Sequence, residues 1–308
     1  MAISTKNLYK KYGSRFVLEN LSLNVEKGSI YGFLGQNGAG KTTTIKLLSG
    51  LSTPAKGQIF VEGMGLSSDS GKIKQILGLV PQDSGFYDER TALSHMVYYG
   101  RLKGLSKKES LEQSRVLLDQ VGLGNEMFKK VGYFSHGMKT RLGIAQALLN
   151  DPKVLILDEP TNGLDPVGIR QIRQILRECN NEGITIFLSS HNLLEIQEIC
   201  THVGILNKGK LIAESTIEKI RHLESNGVIT IGVYNLSYEM ISLIENMEFV
   251  VKTELKAEHT LEIFVNSRTD VKPEINRLIV ESGGHVFKLI ENSLSLEDAF
   301  FDATGIKL

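Results

Sequence analysis

The sequence predicts an α/β protein with a parallel sheet, joined to a smaller α+β domain. Short apolar runs at 154–157 (VLIL) and 184–188 (ITIFL) are separated by a helical segment, a pattern typical of parallel sheets. The segment 35–42, GQNGAGKT, follows another apolar run and matches the G-x-x-x-x-G-K-[ST] loop that cradles nucleotide phosphates. After about residue 221 the pattern changes to a different order of strands and helices. The predicted fold is therefore a P-loop NTPase with a second domain.

Length and charge limit the classes of function. At 308 residues the chain is long enough for two domains, and 41% hydrophobic residues allow each a core. Lys plus Arg and Asp plus Glu both number 35, so no net charge attracts nucleic acid or an acidic membrane. We therefore expect no nucleic-acid partner, and any membrane partner must be met through specific contacts.

Targeting features and cysteines point to the cytosol. No stretch approaches the roughly 20 apolar residues of a spanning helix, and the first ten residues lack the apolar core of a signal peptide. Cys179 and Cys200 have no metal-ligand spacing, and we expect both to be small core residues in a reducing compartment.

The first 61 residues predict strands around the phosphate loop, which we define as residues 35–42. Apolar and polar residues alternate there around turns, which favours an antiparallel flap, while 29–34 reads as a buried strand before the loop. A helix is predicted from near Lys41 through 43–51, so its positive dipole end adds to the inward backbone N–H groups of the loop. The residues predicted to bind nucleotide here are Gly35, Gln36, Asn37, Gly38, Ala39, Gly40, Lys41, Thr42 and Thr43. Lys41 is predicted to reach the β- and γ-phosphates, and Thr42 to offer its hydroxyl to Mg²⁺.

Further along, a helical insert precedes two apolar strands. A strand leads into Pro81 and Gln82, and residues 91–149 show apolar residues at helical spacing.

The tail reads as strand 228–235, helix 237–247, strands 249–256 and 259–266, helix 270–282, strand 285–291 and helix 295–303. Up to the last strand this is a βαββαβ order, which matches the split-βαβ, ferredoxin-like arrangement.

Several motifs occur in a fixed order after the phosphate loop. They are Gln82 after a strand, FSHGMKTR at 134–141, VLILDEP at 154–160, NGLD at 162–165 and His191 in LSSHNLLE. With these motifs, residues 1–220 resemble the nucleotide-binding subunit of an ATP-binding-cassette (ABC) transporter. The resemblance implies a cassette at 1–221, with a RecA-like core, an antiparallel β subdomain and a helical subdomain at about 83–150, and an accessory domain at 222–308. The tail, including SLEDAFFDATG at 295–305, resembles the extension of bacterial drug and bacteriocin exporter subunits.

The carboxylates at the end of the 154–157 run suit metal-assisted hydrolysis. Asp158 is placed to hold Mg²⁺ through water, while Glu159 can polarise the attacking water and accept its proton. Few other protein ligands are expected besides Thr42 and Gln82, because Mg²⁺ keeps several waters. Taken alone, the pair could also be a solvated strand end before a turn at Pro160.

Three other roles follow from the resemblance. Gln82 corresponds to the glutamine that contacts Mg²⁺ or the attacking water, and His191 to the histidine that hydrogen-bonds the γ-phosphate. Tyr12 corresponds to the aromatic residue that stacks on adenine. The alternatives are a polar residue after Pro81, a structural histidine, and a hairpin aromatic that packs on the sheet.

The signature segment, 134–141, departs from the family's commonest form, LSGGQ. Ser135 and Gly137 remain, but His136 replaces Gly and Met138 replaces Gln. In the family this segment begins a helix that faces the γ-phosphate of ATP held by the other subunit. His136 could add a donor there or point to solvent. Asp165 is predicted to link the two sites of the dimer, or alternatively to cap the helix that begins at Pro166.

The resemblance implies two partners. Since one chain carries one cassette, a second copy would complete two ATP sites in a head-to-tail homodimer, and a polytopic membrane permease would dock near Gln82, Phe86 and Tyr87. The leading hypothesis is a cytosolic, Mg²⁺-dependent ATPase subunit on the cytoplasmic face of the membrane, driving export of a peptide antibiotic, drug or lipid-like molecule. A soluble cassette ATPase acting on ribosomes or DNA would need a basic patch that the chain lacks. A regulatory module that binds ATP without hydrolysis is opposed by the intact Asp158 and Glu159.

Overall fold

The structure, a computed structural model, describes residues 1–82, 85–219, 226–267 and 269–292. Backbone contacts divide the chain into two compact units, Met1–Ser215 and a second unit that begins at Thr216. Each unit has a hydrophobic core of its own. Within the described residues, no helix is both long enough and apolar enough to cross a membrane.

The first unit contains an antiparallel sheet and a mainly parallel sheet. Its strands are β1 (Ile3–Tyr12), β2 (Arg15–Leu21), β3 (Asn24–Val25), β4 (Ile30–Leu34), β5 (Lys56–Val61), β6 (Met64–Gly65), β7 (Leu77–Val80), β8 (Val154–Asp158), β9 (Thr185–Ser190), β10 (His202–Asn207) and β11 (Lys210–Thr216). Its helices are α1 (Lys41–Leu48), α2 (Ser70–Ile76), α3 (Ala92–Leu102), α4 (Lys107–Gln120), α5 (His136–Leu148), α6 (Pro166–Asn181) and α7 (Leu193–Ile199).

The antiparallel sheet is the predicted flap. Its strand order is β2-β1-β5-β6, with β3 also paired to β1. Alternate residues along β1 and β5, such as Ile3 and Ile59, are buried in the same core as residues of β4 and α1. Period-2 alternation in the sequence therefore corresponds to a sheet with one buried face.

The second sheet has the order β11-β10-β4-β9-β8-β7. The pairs from β10 through β7 are parallel, for example Ile30 opposite Ile186 and Leu157 opposite Leu188. All residues of β4, β8 and β9 are buried, which is why these strands read as continuous apolar runs. Because the carboxyl ends of parallel strands meet at one edge, the residues that follow β4, β8 and β9 lie together there.

The segment between β7 and β8 is helical, as predicted. Side chains of Thr91, Ser106 and Ser135 cap α3, α4 and α5, and Ser106 forms a capping box with Glu109. The strand before Pro81 is short, because residues 70–76 form α2 and β7 begins only at Leu77.

The second unit has the predicted element order. It contains β12 (Asn226–Tyr234), α8 (Tyr238–Glu245), β13 (Val250–Ala257), β14 (Thr260–Asn266), α9 (Lys272–Glu281) and β15 (His285–Asn292). The antiparallel sheet order is β13-β14-β12-β15. Alternate residues of β12 and β14, such as Ile231 and Ile263, form a core with Ile244 and Ile275 of the two helices. The predicted helix 295–303 and the segment 295–305 lie outside the described residues.

Candidate functional site

The phosphate loop joins β4 to α1 at the sheet edge where the strands end. Gly38 and Gly40 have φ values of +82° and +116°, conformations that favour glycine. A Cβ atom at Gly35 would lie 2.6 Å from the carbonyl oxygen of Leu206, so only glycine fits there. The Gly35 N–H donates to the Ser190 carbonyl at 3.2 Å, which ties the loop to the end of β9. The loop therefore curls in front of the N-terminus of α1, the geometry that binds anions.

Lys41 lies in the centre of this loop with only 6% of its side chain exposed. Its ammonium group donates to the carbonyls of Gly35 at 2.6 Å and Gln36 at 3.3 Å. The same nitrogen lies 3.1 Å from Oε1 of Glu159, forming a buried ion pair. The loop thus holds a positive charge at its centre, close to the end of β8.

Asp158 ends β8 and Glu159 follows it, and the side chain of Ser189 holds both. The Ser189 hydroxyl donates to Oδ1 of Asp158 at 2.7 Å and accepts from the Glu159 N–H at 2.9 Å. Glu159 has a φ of +51°, a left-handed conformation that non-glycine residues rarely adopt and that clusters at functional sites. Ser189 was missed as a functional residue, although the serine pair that ends the apolar strand β9 offered a signal.

The imidazole of His191 completes the cluster around Glu159. Its Nδ1 lies 2.9 Å from Oε2 of Glu159. Because a carboxylate can only accept, Nδ1 carries the proton in this pair. The two oxygens of Glu159 therefore face Lys41 and His191, and the structure brings together three side chains that lie up to 150 residues apart in the chain.

These side chains face a cavity of about 480 Å³, which we call the phosphate cavity. Its lining residues are Val17, Asn37, Gly38, Gly40, Lys41, Thr42, Thr43, Gln82, Glu159, Asn162 and His191. Val17 and Asn162 were not predicted to line it. Tyr12 does not line it but lies at the end of β1, 53% exposed, with Nζ of Lys10 5.1 Å from its ring centroid.

A neighbouring cavity, which we call the carboxylate cavity, lies between the ends of β7 and β8 and the start of α5. It is lined by Val80, Pro81, Gln82, Phe86, His136, Lys139, Thr140, Asp158, Glu159, Pro160 and Asn162. Gln82, Glu159 and Asn162 line both cavities, whereas Asp158 lines only this one of the two. The predicted Mg²⁺ ligands therefore border two adjoining spaces, and Gln82 is the ligand that both share.

Ser135 and Gly137 border a third space, which we call the signature cavity. It is lined by Ser135, His136, Gly137, Met138, Arg141, Gly163, Leu164, Asp165, Val167, Gly168 and Gln171. The Ser135 hydroxyl caps α5 by accepting from the Met138 N–H at 3.3 Å. Asp165 caps α6 by accepting from the Gly168 N–H at 2.8 Å, so the alternative role as a helix cap is present in the fold. Within one chain, the signature cavity and the phosphate cavity have no lining residue in common.

Comparison with known proteins decides the family. The model of the ABC transporter family matches residues 18–162. The bacitracin transport ATP-binding protein BcrA of Bacillus licheniformis is 40% identical over 98% of this chain and 97% of its own length. The chain belongs to the ATP-binding proteins of ABC transporters. Another relative of this ABC transporter ATP-binding protein, the linearmycin resistance ATP-binding protein LnrL of Bacillus subtilis, is 31% identical over 98% of both chains.

Solved structures agree with this family. An ATP-binding subunit of an ABC transporter superposes with a TM-score of 0.65 at 32% identity, over 72% of this chain and 92% of the other. A dimeric ATP-binding cassette in a post-hydrolysis state with ADP and phosphate superposes with a TM-score of 0.64 at 25% identity, over 70% of this chain and 98% of the other. This ABC transporter ATP-binding protein is an ABC-type ATPase, as the phosphate loop and the ordered motifs after it together predict.

The hydroxyl of Ser189 allows a test of how the carboxylates are positioned. In Ser189→Ala, the buried Glu159 N–H loses its acceptor and Asp158 loses a donor, so we expect unfolding free energy to fall by about 1–3 kcal/mol. We also expect ATP hydrolysis to slow by roughly tenfold, since both carboxylates can shift. Urea unfolding and phosphate release measure these effects. Ser49→Ala, which removes another buried hydroxyl bond at the C-terminal end of α1, is the control and should leave turnover unchanged.

Proposed function

We propose that this protein couples ATP hydrolysis to transport by a polytopic membrane permease, which exports a peptide antibiotic or a related molecule. It would bind the permease at the cytoplasmic face of the membrane. The functions of its relatives support this. Bacitracin transport and linearmycin resistance proteins align with 98% of the chain, and a lantibiotic transport protein of Streptococcus pyogenes is 41% identical over 72% of it. The first two alignments include the C-terminal unit, which the cassette structures do not cover.

The observation that carries the hydrolytic mechanism is the position of Glu159. Its carboxylate is buried and aimed by Lys41 and His191 at the edge of the phosphate cavity. In the proposed mechanism Glu159 accepts a proton from water as the water oxygen attacks the γ-phosphorus, and ADP leaves with the electrons of the broken P–O bond. Lys41 and the N–H groups of the phosphate loop stabilise the charge on the phosphate oxygens. His191 orients Glu159 and lines the same cavity.

The oxygen donors near the cavities suit Mg²⁺. Thr42 and Gln82 border the phosphate cavity, and Asp158 borders the adjoining carboxylate cavity with Gln82. A hydroxyl, an amide oxygen and a carboxylate are hard oxygen ligands, which Mg²⁺ prefers together with water and phosphate oxygens. When bound, Mg²⁺ would neutralise charge on the β- and γ-phosphates. Ser189 would keep the Asp158 carboxylate aimed toward it.

The separation of the cavities favours a dimer. Ser135 and Gly137 lie at the N-terminus of α5, where backbone N–H groups and the helix dipole suit an anion, but they do not line the phosphate cavity of their own chain. We propose that a second copy, arranged head to tail, presents them to the γ-phosphate. Asp165 would then lie beside the partner's site. Tyr12 is exposed and would stack on adenine.

We also propose that the cassette spans 1–221, with its helical subdomain at about 83–150, and that 222–308 forms a ferredoxin-like accessory domain. The βαββαβ order with an antiparallel β13-β14-β12-β15 sheet supports that fold type.

Affinity purification of the Glu159→Gln protein from gently solubilised cells, with ATP and Mg²⁺ present, tests the transport function. The slow variant should keep the assembled complex bound, so mass spectrometry should detect a polytopic membrane protein, whose identity would indicate the cargo. A parallel purification of Lys41→Ala, which should bind ATP more weakly, should recover less of it. Recovery of ribosomal proteins or DNA-bound factors without a membrane partner would contradict the proposal and favour a soluble ATPase.

A further inference from the structure

The first residue of α5, His136, makes a contact that the sequence did not predict. Its Nε2 lies 3.0 Å from the carbonyl oxygen of Asn162. A carbonyl only accepts, so Nε2 carries the proton and donates. The Asn162 N–H in turn donates to the carbonyl of Glu159 at 3.1 Å. One backbone turn therefore separates the His136 imidazole from the residue that carries the carboxylate.

The position of the His136 ring places it between two sites. It lines the carboxylate cavity together with Glu159, and it lines the signature cavity together with Ser135 and Gly137. A Cβ atom at Gly163 would lie 3.7 Å from the ring, so the ring packs along the backbone that follows Asn162. The His136 side chain therefore lines both the carboxylate cavity and the signature cavity of one chain.

A second contact holds the segment that contains Asn162. We call residues 159–165 the connecting loop, since they join β8 to α6. The Thr161 hydroxyl donates to the carboxylate of Glu195 in α7, the helix that follows His191. The connecting loop is therefore held by Glu195 and by His136, and Asp165 anchors its end to α6. A shift of α5 would pull on the loop through His136.

We propose that His136 is a positioning residue that locks the connecting loop to the signature helix of the same chain, so that Glu159 and the Ser135–Gly137 segment move as one body. The inference rests on the proposed two-site dimer. In such a dimer Glu159 serves the ATP of its own phosphate loop, whereas Ser135 and Gly137 serve the ATP of the partner. The bond from His136 would then connect the chemistry at one site with the closure of the other.

This role predicts an effect on turnover with little effect on folding or on ATP affinity. His136 is exposed, so its loss leaves the Asn162 carbonyl within reach of water and should not unfold the chain. It does not line the phosphate cavity, so binding of ATP to the loop of its own chain should persist. If His136 had no positioning role, its substitution would leave turnover unchanged as well as folding and ATP affinity.

The test compares His136→Leu with His136→Gln in the full-length protein. The amide nitrogen of Gln lies as many bonds from Cβ as Nε2 of His, so Gln can donate to the Asn162 carbonyl, whereas Leu cannot. We expect His136→Leu to lower kcat roughly threefold to tenfold, the size of one lost hydrogen bond, with the Kd of a fluorescent ATP analogue changed less than about twofold. His136→Gln should recover most of the lost kcat. His285→Leu, which adds the same apolar group to an exposed position of the second unit, should behave as wild type.

Several outcomes would overturn the role of His136. A Leu variant with wild-type kcat would do so, as would a folded Gln variant as slow as Leu, or a loss of ATP affinity at unchanged kcat. Circular dichroism and thermal melting confirm that the variants are folded. Failure of the proposed transport function is separate, because a wild-type chain that hydrolyses ATP but recovers no permease contradicts that function and leaves the comparison of His136 variants intact.

Discussion

Glu159→Gln is expected to slow ATP hydrolysis by about 10²- to 10⁴-fold while ATP stays bound. The substitution keeps the shape of the side chain but removes the group that accepts the proton of the attacking water. The phosphate loop and Lys41, which hold the phosphates, are unchanged, so the ATP complex should accumulate. Phosphate release measures the turnover, and filtration with radiolabelled ATP measures the bound nucleotide. Glu112→Gln, which alters an exposed carboxylate paired with Lys108 on α4, should hydrolyse ATP at the wild-type rate.

A Glu159→Gln protein that turned over at the normal rate would remove Glu159 as the base. A variant that failed to bind ATP would instead show that the carboxylate is needed mainly for the buried pairs with Lys41 and His191. The two results are distinguished because turnover and binding are measured on the same preparation.

Lys41→Ala is expected to weaken ATP binding by roughly tenfold to more than a hundredfold, the loss that corresponds to one charged hydrogen bond of about 1.5–3 kcal/mol. The ammonium group is buried at the centre of the phosphate loop, where no other described cation lines the phosphate cavity. Isothermal titration with ATP and Mg²⁺ measures the change. Lys46→Ala, on the exposed side of the same helix, is the control and should bind ATP normally.

Unchanged ATP affinity in Lys41→Ala would contradict the assignment of the phosphate loop. The variant also leaves His191 as the remaining side-chain partner of the Glu159 carboxylate, so its unfolding free energy should be measured alongside. A folded variant that loses affinity supports the direct role of the ammonium group.

Local sequence patterns predicted most of the fold. The apolar runs of β4, β8 and β9 are fully buried parallel strands, and the alternating runs of β12 and β14 form one face of an antiparallel sheet. These patterns work because burial on one or both faces of a strand follows directly from the order of residues along it. The helix boundaries are well marked because Thr91, Ser106 and Ser135 are all capping residues.

The site was predictable only where a motif defines both the residue and its partner. The phosphate loop is contiguous, so its glycines and Lys41 could be assigned from the sequence. Ser189 supports Asp158 across neighbouring strands, and this requires the strand order β9-β8, which no local pattern contains. The bond from His136 to Asn162 joins the start of α5 to a backbone carbonyl of the connecting loop, and the sequence does not show which carbonyl a side chain will meet.

In the proposed dimer, each ATP site is built from the phosphate loop of one chain and the signature segment of another. Mixing two inactive variants tests it most directly. Lys41→Ala disables the phosphate loop, and Gly137→Asp places a negative charge where the γ-phosphate would bind. A Cβ atom at Gly137 meets only Leu164 at 3.6 Å, and an Asp near a helix N-terminus is tolerated, so this variant should fold.

Each variant alone should be nearly inactive. In an equal mixture, half of the dimers are mixed, and each mixed dimer has one site in which both the loop and the signature are intact, so activity should return to about a quarter of wild type. Recovery of that activity, with each variant folded by circular dichroism, is the result expected if two chains share each ATP site. A mixture no more active than the sum of its components would contradict it.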